Sequence, residues 1–233
     1  MLKKIIVTGS DGRFAQELKK IKSKYNFIFT NKKKLNILSL KSINKSFKNF
    51  NPDGVIHLAG LSRPMSIHEK NINQSIDSNI IGTSNLVKVC NNNNVKLIYL
   101  STSYVYPGKK GNYNENDSIL PWNNYGWSKL GAESAVQMYE NSLIIRACMT
   151  EKPFTHKFAF SNVKTNFIFH DEFAKILVKI IHYKGILNVG GKSQSVYQFA
   201  KKNNKNVNKK KSKGELPFNI YMNLNKLKKL IKK

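Results

Sequence analysis

The sequence predicts a doubly wound α/β fold, a parallel sheet covered by helices on both faces. Two observations carry this. Short apolar runs alternate with segments of helical spacing through the first two-thirds of the chain, and the first of these runs ends in a glycine turn that opens a helix.

The elements follow in order. KKIIVTG (3–9) is a strand ending in glycine, and FAQELKKI has the spacing of a helix. NFIFT (26–30) is a second strand, SLKSINKSF a second helix and DGVIHLAG (53–60) a third strand. A helix is expected from Ile72 to Cys90, broken by the asparagine run 91–94, before the strand VKLIYLST (95–102). Another helix runs from Tyr125 to Tyr139 and leads to the strand SLIIRA (142–147). Beyond Cys148 the pattern loosens: NFIF (166–169) and GILNVGG read as strands, DEFAKILVKIIHY and SVYQFAKK as helices. NNKNVNKKKSKG (203–214) reads as a mobile loop, and NLNKLKKLIKK as a closing basic helix. The expected organisation is residues 1–150 as the α/β domain carrying the site and 151–233 as a small substrate lobe with a basic tail.

At 233 residues the chain suffices for one well-buried core. No apolar run approaches the ~20 residues of a membrane helix, and the N-terminal lysines precede a run too short for a signal peptide, so a cytoplasmic protein without a membrane partner is expected. Cys90 and Cys148 lie far apart with no histidine spacing, which predicts reduced cysteines and no metal site. The charge of +27 would ordinarily point to nucleic acid. Lysine supplies nearly all of it alongside abundant asparagine and isoleucine, a mix that AT-rich coding also produces, and basic surface equally suits a phosphate-bearing ligand. Nucleic acid is therefore not the expected partner.

Gly9-Ser10-Asp11-Gly12-Arg13-Phe14-Ala15 fits GxxGxxA at the first strand-to-helix junction. Glycines there allow a sharp turn and close approach to a pyrophosphate, Ala15 keeps helix and sheet close, and the helix N-terminus offers free N–H groups. The same pattern alone also fits an ordinary turn; its placement favours a dinucleotide site and a Rossmann domain. The second strand ends Thr30-Asn31-Lys32-Lys33-Lys34 without a carboxylate, and with Arg13 this favours NADP(H) over NAD(H).

YGWSK (125–129) puts a phenol and an amine four residues apart on one helix face. Two exposed side chains would look the same. A free tyrosine, with a pKa of about 10, is a poor acid or base at neutral pH unless a cation stabilises its phenolate, and Lys129 could supply that charge.

The glycine turn, HLAG (57–60), Asn79-Ile80-Ile81-Gly82-Thr83, STSYVYPG (101–108) and YGWSK, in that order, resemble the extended short-chain dehydrogenase/reductases. The likeness covers most of the chain, including FIFHDEFAKIL and GILNVGG, and is greatest to the nucleotide-sugar epimerases and the dTDP-4-dehydrorhamnose reductase group. It implies that Thr102 binds the substrate oxygen, Tyr125 transfers the proton and Lys129 holds the nicotinamide ribose. It implies a cofactor set of Gly9, Asp11, Gly12, Arg13 and Phe14 in the turn, with Asn31, Asn36 and Ile37 nearer the adenosine. Leu58, Ala59, Gly60 and Asn79 complete that set beside Tyr125 and Lys129. Ser103, Tyr104 and Arg146 are the substrate candidates, although strand alternation points Ser101 and Ser103 away from Thr102 and Arg146 could equally brace the core.

Ser103-Tyr104 stands where related 4,6-dehydratases resemble one another in an Asp-Glu pair, so elimination is not expected. Asn36 stands where family members often carry aspartate. The expected activity is reduction of a 4-keto nucleotide sugar. A 4-epimerase is the enzymatic alternative, and a non-catalytic dinucleotide- or RNA-binding Rossmann protein the alternative of another class. The helices at 72–90 and 125–139 are those relatives use for dimers, so a homodimer is possible.

Overall fold

The computed structural model describes residues 2–232. β1 (Lys4–Thr8) passes through the glycine turn into α1 (Arg13–Lys19), followed by β2 (Asn26–Thr30), α2 (Leu40–Phe50) and β3 (Gly54–His57). α3 (Ile67–Lys70) and α4 (Ile72–Ser75) lead through a π-helical turn, Ile76–Ile81, into α5 (Gly82–Asn92). β4 (Lys96–Thr102) ends in a 3₁₀ turn, Ser103–Val105, and α6 (Asn124–Gln137) leads to β5 (Ser142–Ala147). Then come β6 (Met149–Thr150), β7 (Phe158–Phe160), β8 (Lys164–Thr165), β9 (Ile168–Phe169), α7 (His170–Ile180) and β10 (Gly185–Val189). β11 (Gln194–Ser195), α8 (Val196–Asn203), β12 (Asn208–Lys210) and α9 (Asn225–Ile231) complete the order. Among the described residues no helix is long and apolar enough to cross a membrane.

Six parallel strands lie in the order β2-β1-β3-β4-β5-β10. The chain steps outward from β1 to β2 and returns to the far side of β1 for β3, so the strand order reverses between β1 and β3. Ligands of open parallel sheets bind beyond the carboxyl ends of the strands at such a reversal. Here that place is bounded by the glycine turn and by HLAG.

Successive strand side chains point to opposite faces, and both faces are apolar. Ile5, Val7, Ile98 and Ile145 pack under Phe14 and Leu18 of α1, Phe173 and Leu177 of α7 and Leu227 of α9. Ile6, Leu97, Tyr99 and Ile144 meet Ile43 and Phe47 of α2, Leu86 of α5 and Ala132 and Val136 of α6. Each such side chain contributes about 1.5–3 kcal/mol on burial, so these two layers dominate the stability. A third cluster, including Phe154, Val163, Phe169, Val196, Phe199 and Val207, holds the smaller lobe.

Three expectations are corrected. The single helix expected over 72–90 is interrupted by the π turn, whose extra residue turns Asn79 inward beside Thr83 and sets Gly82 against Ile37; a Cβ on Gly82 would lie 2.6 Å from Ile37 Cδ1. The segment 203–214, expected to be a mobile loop, contains β12, which pairs in parallel with β7. Backbone pairing needs no apolar side chains, and the segment is pinned where Ser212 and Asn162 exchange hydrogen bonds of 2.8 and 2.9 Å. Finally, GILNV, assigned to the substrate lobe, is β10 and pairs with β5, so the central sheet takes its edge strand from beyond residue 150. α9 lies against that edge, and Lys226 Nζ donates to the Ile186 carbonyl at 2.6 Å.

Candidate active site

The glycine turn is built by close approach. Gly9 has φ +68°, and a Cβ there would lie 2.7 Å from the Ala59 backbone, so only glycine lets β1 and HLAG meet. Gly12 N–H donates to the Gly9 carbonyl at 3.0 Å. Beneath the turn, Thr8 Oγ1 accepts from the Leu58 and Ala59 amides at 3.1 Å each and bonds His57 Nδ1 at 2.9 Å. His57 Nε2 bonds Thr83 Oγ1 at 3.0 Å. Burial, aided by the Lys129 charge, pushes the His57 pKa down to about 3. The ring is therefore a neutral structural link.

Asn79 ties this loop to α6, Asn124–Gln137. Its Oδ1 accepts from Leu61 N–H at 2.7 Å, and its Nδ2 donates to the Leu61 carbonyl at 2.9 Å and to Ser128 Oγ at 2.8 Å. Gly60, at φ +153°, passes directly over it; a Cβ there would meet Asn79 Oδ1 at 2.8 Å. Near the second strand, Asn31 Oδ1 accepts from Lys34 N–H at 3.2 Å and Asn36 Oδ1 from Leu38 N–H at 3.1 Å, so both side-chain oxygens stabilise turns. Ile37 is 8% exposed and packs in the core. Asp11 is exposed and accepts from Ser10 Oγ at 3.3 Å.

α6 starts beside the end of β4 because Asn123 caps it, accepting from Gly126 N–H at 2.8 Å. Gly126 permits the approach: a Cβ there would lie 2.5 Å from the Tyr104 carbonyl. Tyr125 thus falls in the first helical turn, against the rings of Tyr104 (6.0 Å) and His68 (5.1 Å). Burial raises the Tyr125 pKa, opposed by a hydrogen bond to Thr102 and by the charge of Arg63. The phenol is neutral at physiological pH. One turn on, Lys129 Nζ lies 4.2 Å from the centre of the Tyr99 ring, and burial pushes its pKa down to about 7, opposed by Glu133. Thr102 is 7% exposed and its hydroxyl accepts from Tyr104 N–H at 3.2 Å. The structure therefore brings a hydroxyl, a neutral phenol and an amine to the carboxyl end of β4, beside the crevice.

Four expected site residues are placed differently. Arg146 is 2% exposed and pairs with Glu133, which is 0% exposed, at 2.9 Å; it also donates to Tyr106 Oη at 3.0 Å. It braces the core. Ser103, 1% exposed, lies against Cys148 rather than the crevice, because the 3₁₀ turn rotates it inward. The Phe14 ring packs edge-on against Phe173 at 4.9 Å, which leaves only its backbone to a ligand. Arg13, expected to add to the charge of the second strand's lysines, pairs instead with Glu151 beyond β6.

The residues that sequence reasoning missed include Glu133, which accepts from Ser101 Oγ and from Arg146 on the buried side of α6. Its spacing four residues after Lys129 was a readable signal. Thr8, His57, Thr83 and Ser128 form the link beneath the loops, and the charge of Arg63 opposes the burial that raises the Tyr104 and Tyr125 pKa values. Nothing in the sequence marks Arg63 or Glu151, which sit in irregular loops.

The family described as RmlD substrate binding domain matches residues 3–153. Among curated proteins the chain is 33% identical over 113 residues to methionine adenosyltransferase 2 subunit beta of Xenopus laevis, covering 48% of this chain and 34% of that protein. It is 32% identical over 147 residues to the spore coat polysaccharide biosynthesis protein SpsK of Bacillus subtilis, covering 61% and 52%. The chain thus spans between a third and about half of the length of these curated relatives. Its fold is similar to that of a dTDP-4-dehydrorhamnose reductase from Bacillus anthracis in complex with NADP, with a TM-score of 0.87 at 22% identity, covering 98% of this chain and 91% of that one. A UDP-Glc/GlcNAc 4-epimerase from Campylobacter jejuni gives 0.76 at 17% identity, covering 98% and 92%. With about 65% of its length matched by that family, the chain belongs to the RmlD substrate binding domain family, and it shares its fold with the reductase and the epimerase.

Proposed function

We propose that the protein reduces a 4-keto nucleotide sugar with a nicotinamide dinucleotide, NADP(H) in preference to NAD(H). The observation that carries this is Tyr125, held as a neutral phenol close to the Thr102 hydroxyl, one helical turn from Lys129 and beside the crevice where the strand order reverses. A proton donor beside a hydroxyl is what a carbonyl needs when its carbon is reduced. In this reading the Thr102 hydroxyl orients the carbonyl oxygen, Tyr125 gives it the proton, and Lys129 stabilises the phenolate left behind.

The residues fit a dinucleotide. A Cβ on Gly9 would clash with the backbone of Ala59, and the start of α1, capped by Gly12, has no side-chain cap hydrogen bond. When bound, the nicotinamide supplies the hydride. The preference for NADP(H) rests on Lys32, Lys33 and Lys34, exposed beyond the end of β2, and no longer on Arg13. The B. anthracis reductase, whose structure contains NADP, supports the same choice. Ile76 and Ile81 of the π turn and Trp127 of α6 are exposed apolar side chains, which supports a homodimer.

A second reading, a non-catalytic dinucleotide-binding subunit, is favoured by one finding: the X. laevis relative is named as a subunit of a methionine adenosyltransferase. One experiment separates the two. Fluorescence titration of the full chain with NADPH and NADH is followed by a panel of 4-keto nucleotide sugars, with Tyr125→Phe alongside. The reductase consumes NADPH, and Tyr125→Phe binds it equally well while turnover falls about 10²–10⁴-fold. Binding with no consumption of NADPH across the panel would support the subunit.

A further inference from the structure

Glu151 follows β6 and reaches back to the glycine turn, where its carboxylate meets two arginines from different loops. One oxygen pairs with Arg13, the first residue of α1, and the other accepts from Arg63 at 3.1 Å. Arg63 lies just past HLAG, and its charge reaches the Tyr104 and Tyr125 phenols. The two guanidiniums thus face a common point beside the crevice, and a carboxylate occupies it. Burial opposes ionisation of Glu151, yet the two arginines more than offset this and hold its pKa below the usual carboxylate range. A cavity of about 480 Å³ opens beside the trio, lined by Arg13, Gln16, Glu151, Lys152 and His170 among others, and gives the Glu151 side chain room to swing away.

We propose that Arg13 and Arg63 form a cradle for a phosphoryl group, which Glu151 fills in the free protein and leaves when the ligand binds. Guanidinium forks bind phosphate as they bind carboxylate, with charge-assisted paired hydrogen bonds. Glu151 is then a tethered competitor, and binding exchanges one anion for another. The exchange is feasible because Arg13 and Arg63 are 63% and 48% exposed, so neither contact is locked by burial. The inference deepens the reading above, from which the nucleotide ligands are chosen; the phosphoryl group belongs either to the dinucleotide or to the diphosphate of the nucleotide sugar.

The test compares the full-length protein with Glu151→Gln, Arg63→Gln and the double variant at fixed physiological salt. NADPH binding is followed by fluorescence, UDP and inorganic pyrophosphate by calorimetry. Exposed ion pairs contribute up to about 1 kcal/mol each, so Glu151→Gln tightens the phosphoryl ligand about three- to tenfold. Arg63→Gln weakens it by a similar factor, and the double variant binds more tightly than Arg63→Gln alone, because in the single variant the carboxylate still competes for Arg13. A gain for NADPH assigns the phosphoryl group to the cofactor, and a gain for UDP alone assigns it to the substrate. A gain for pyrophosphate in a protein that binds neither nucleotide sustains the cradle while overturning the dinucleotide reading. Unchanged or weaker binding of all three probes by Glu151→Gln overturns the cradle.

Discussion

Glu133 and Arg146 pair with side chains 0% and 2% exposed, whereas Glu151 faces two arginines that are 48% and 63% exposed. The chemistry is the same and the surroundings are opposite. The buried pair is enclosed by Ser101 from β4 and Tyr106 from the loop that follows it, with Asn188 of β10 accepting from Tyr106 at 2.8 Å. Water cannot replace either charge there, so each is committed to the other and to the positions of three strands and α6. At Glu151 water can take over any contact, which leaves the arginines available to another anion. Burial turns an ion pair into part of the frame, and exposure leaves it exchangeable.

The sharpest way to break this contrast is Glu133→Gln, which strands a buried guanidinium and is expected to destabilise the protein by about 3–5 kcal/mol in urea unfolding. The double variant Glu133→Gln/Arg146→Met, which removes both charges at similar volume, recovers most of that loss. If single and double variants unfold alike, the pair is not the unit it looks to be.

Lys129 lies between the extremes, a lone amine that burial pushes down to about 7 from the ordinary 10.5. In the unfolded chain it holds its proton up to pH 10.5, so the unfolded state binds more protons between those values and native stability rises with pH across that window. Below about pH 7 both states are protonated and the cost of the buried charge is complete. Lys129→Met is therefore expected to stabilise the fold at pH 7 by about 1–3 kcal/mol after allowance for solvent screening, with the gain shrinking toward pH 10.5. A gain independent of pH would mean that packing, not charge, is responsible.

Ser101→Ala removes one hydroxyl from the Glu133 carboxylate while leaving Arg146 in place. It should cost about 1.5–3 kcal/mol in thermal unfolding, the range of a hydrogen bond to a charged group. The smallest effect belongs to the exposed cluster: Glu151→Gln should change unfolding free energy by less than about 1 kcal/mol, a difference that added salt reduces further.

How far each cluster could be read from sequence follows the same contrast. Strand and helix periods gave β1, β2, β5 and α6 nearly to the residue, because both faces of the sheet are apolar and the helices amphipathic. The GxxGxxA turn and YGWSK were visible because each is local, and their spacing already states the geometry. Arg146 was not: its partner lies 13 residues earlier on another element, and an arginine at a strand end looks the same whether it faces a phosphate or a carboxylate. Arg63 and Glu151 are 88 residues apart in loops without periodicity, so only the fold joins them. The strand β12 was missed because its pairing is carried by the backbone of a lysine-rich segment whose side chains are all exposed.

The placement of α9 has a consequence for solubility. β10 is the outermost strand on its side of the sheet, and an unprotected outer strand is a template onto which another chain can add by backbone pairing. Lys226 already occupies the Ile186 carbonyl, and a charge there repels an incoming strand. Removing the chain from Leu224 onward should leave the crevice residues in place yet make the protein self-associate more with rising concentration than the full chain does, measurable by light scattering. The last helix is then a guard against aggregation rather than a part of the chemistry.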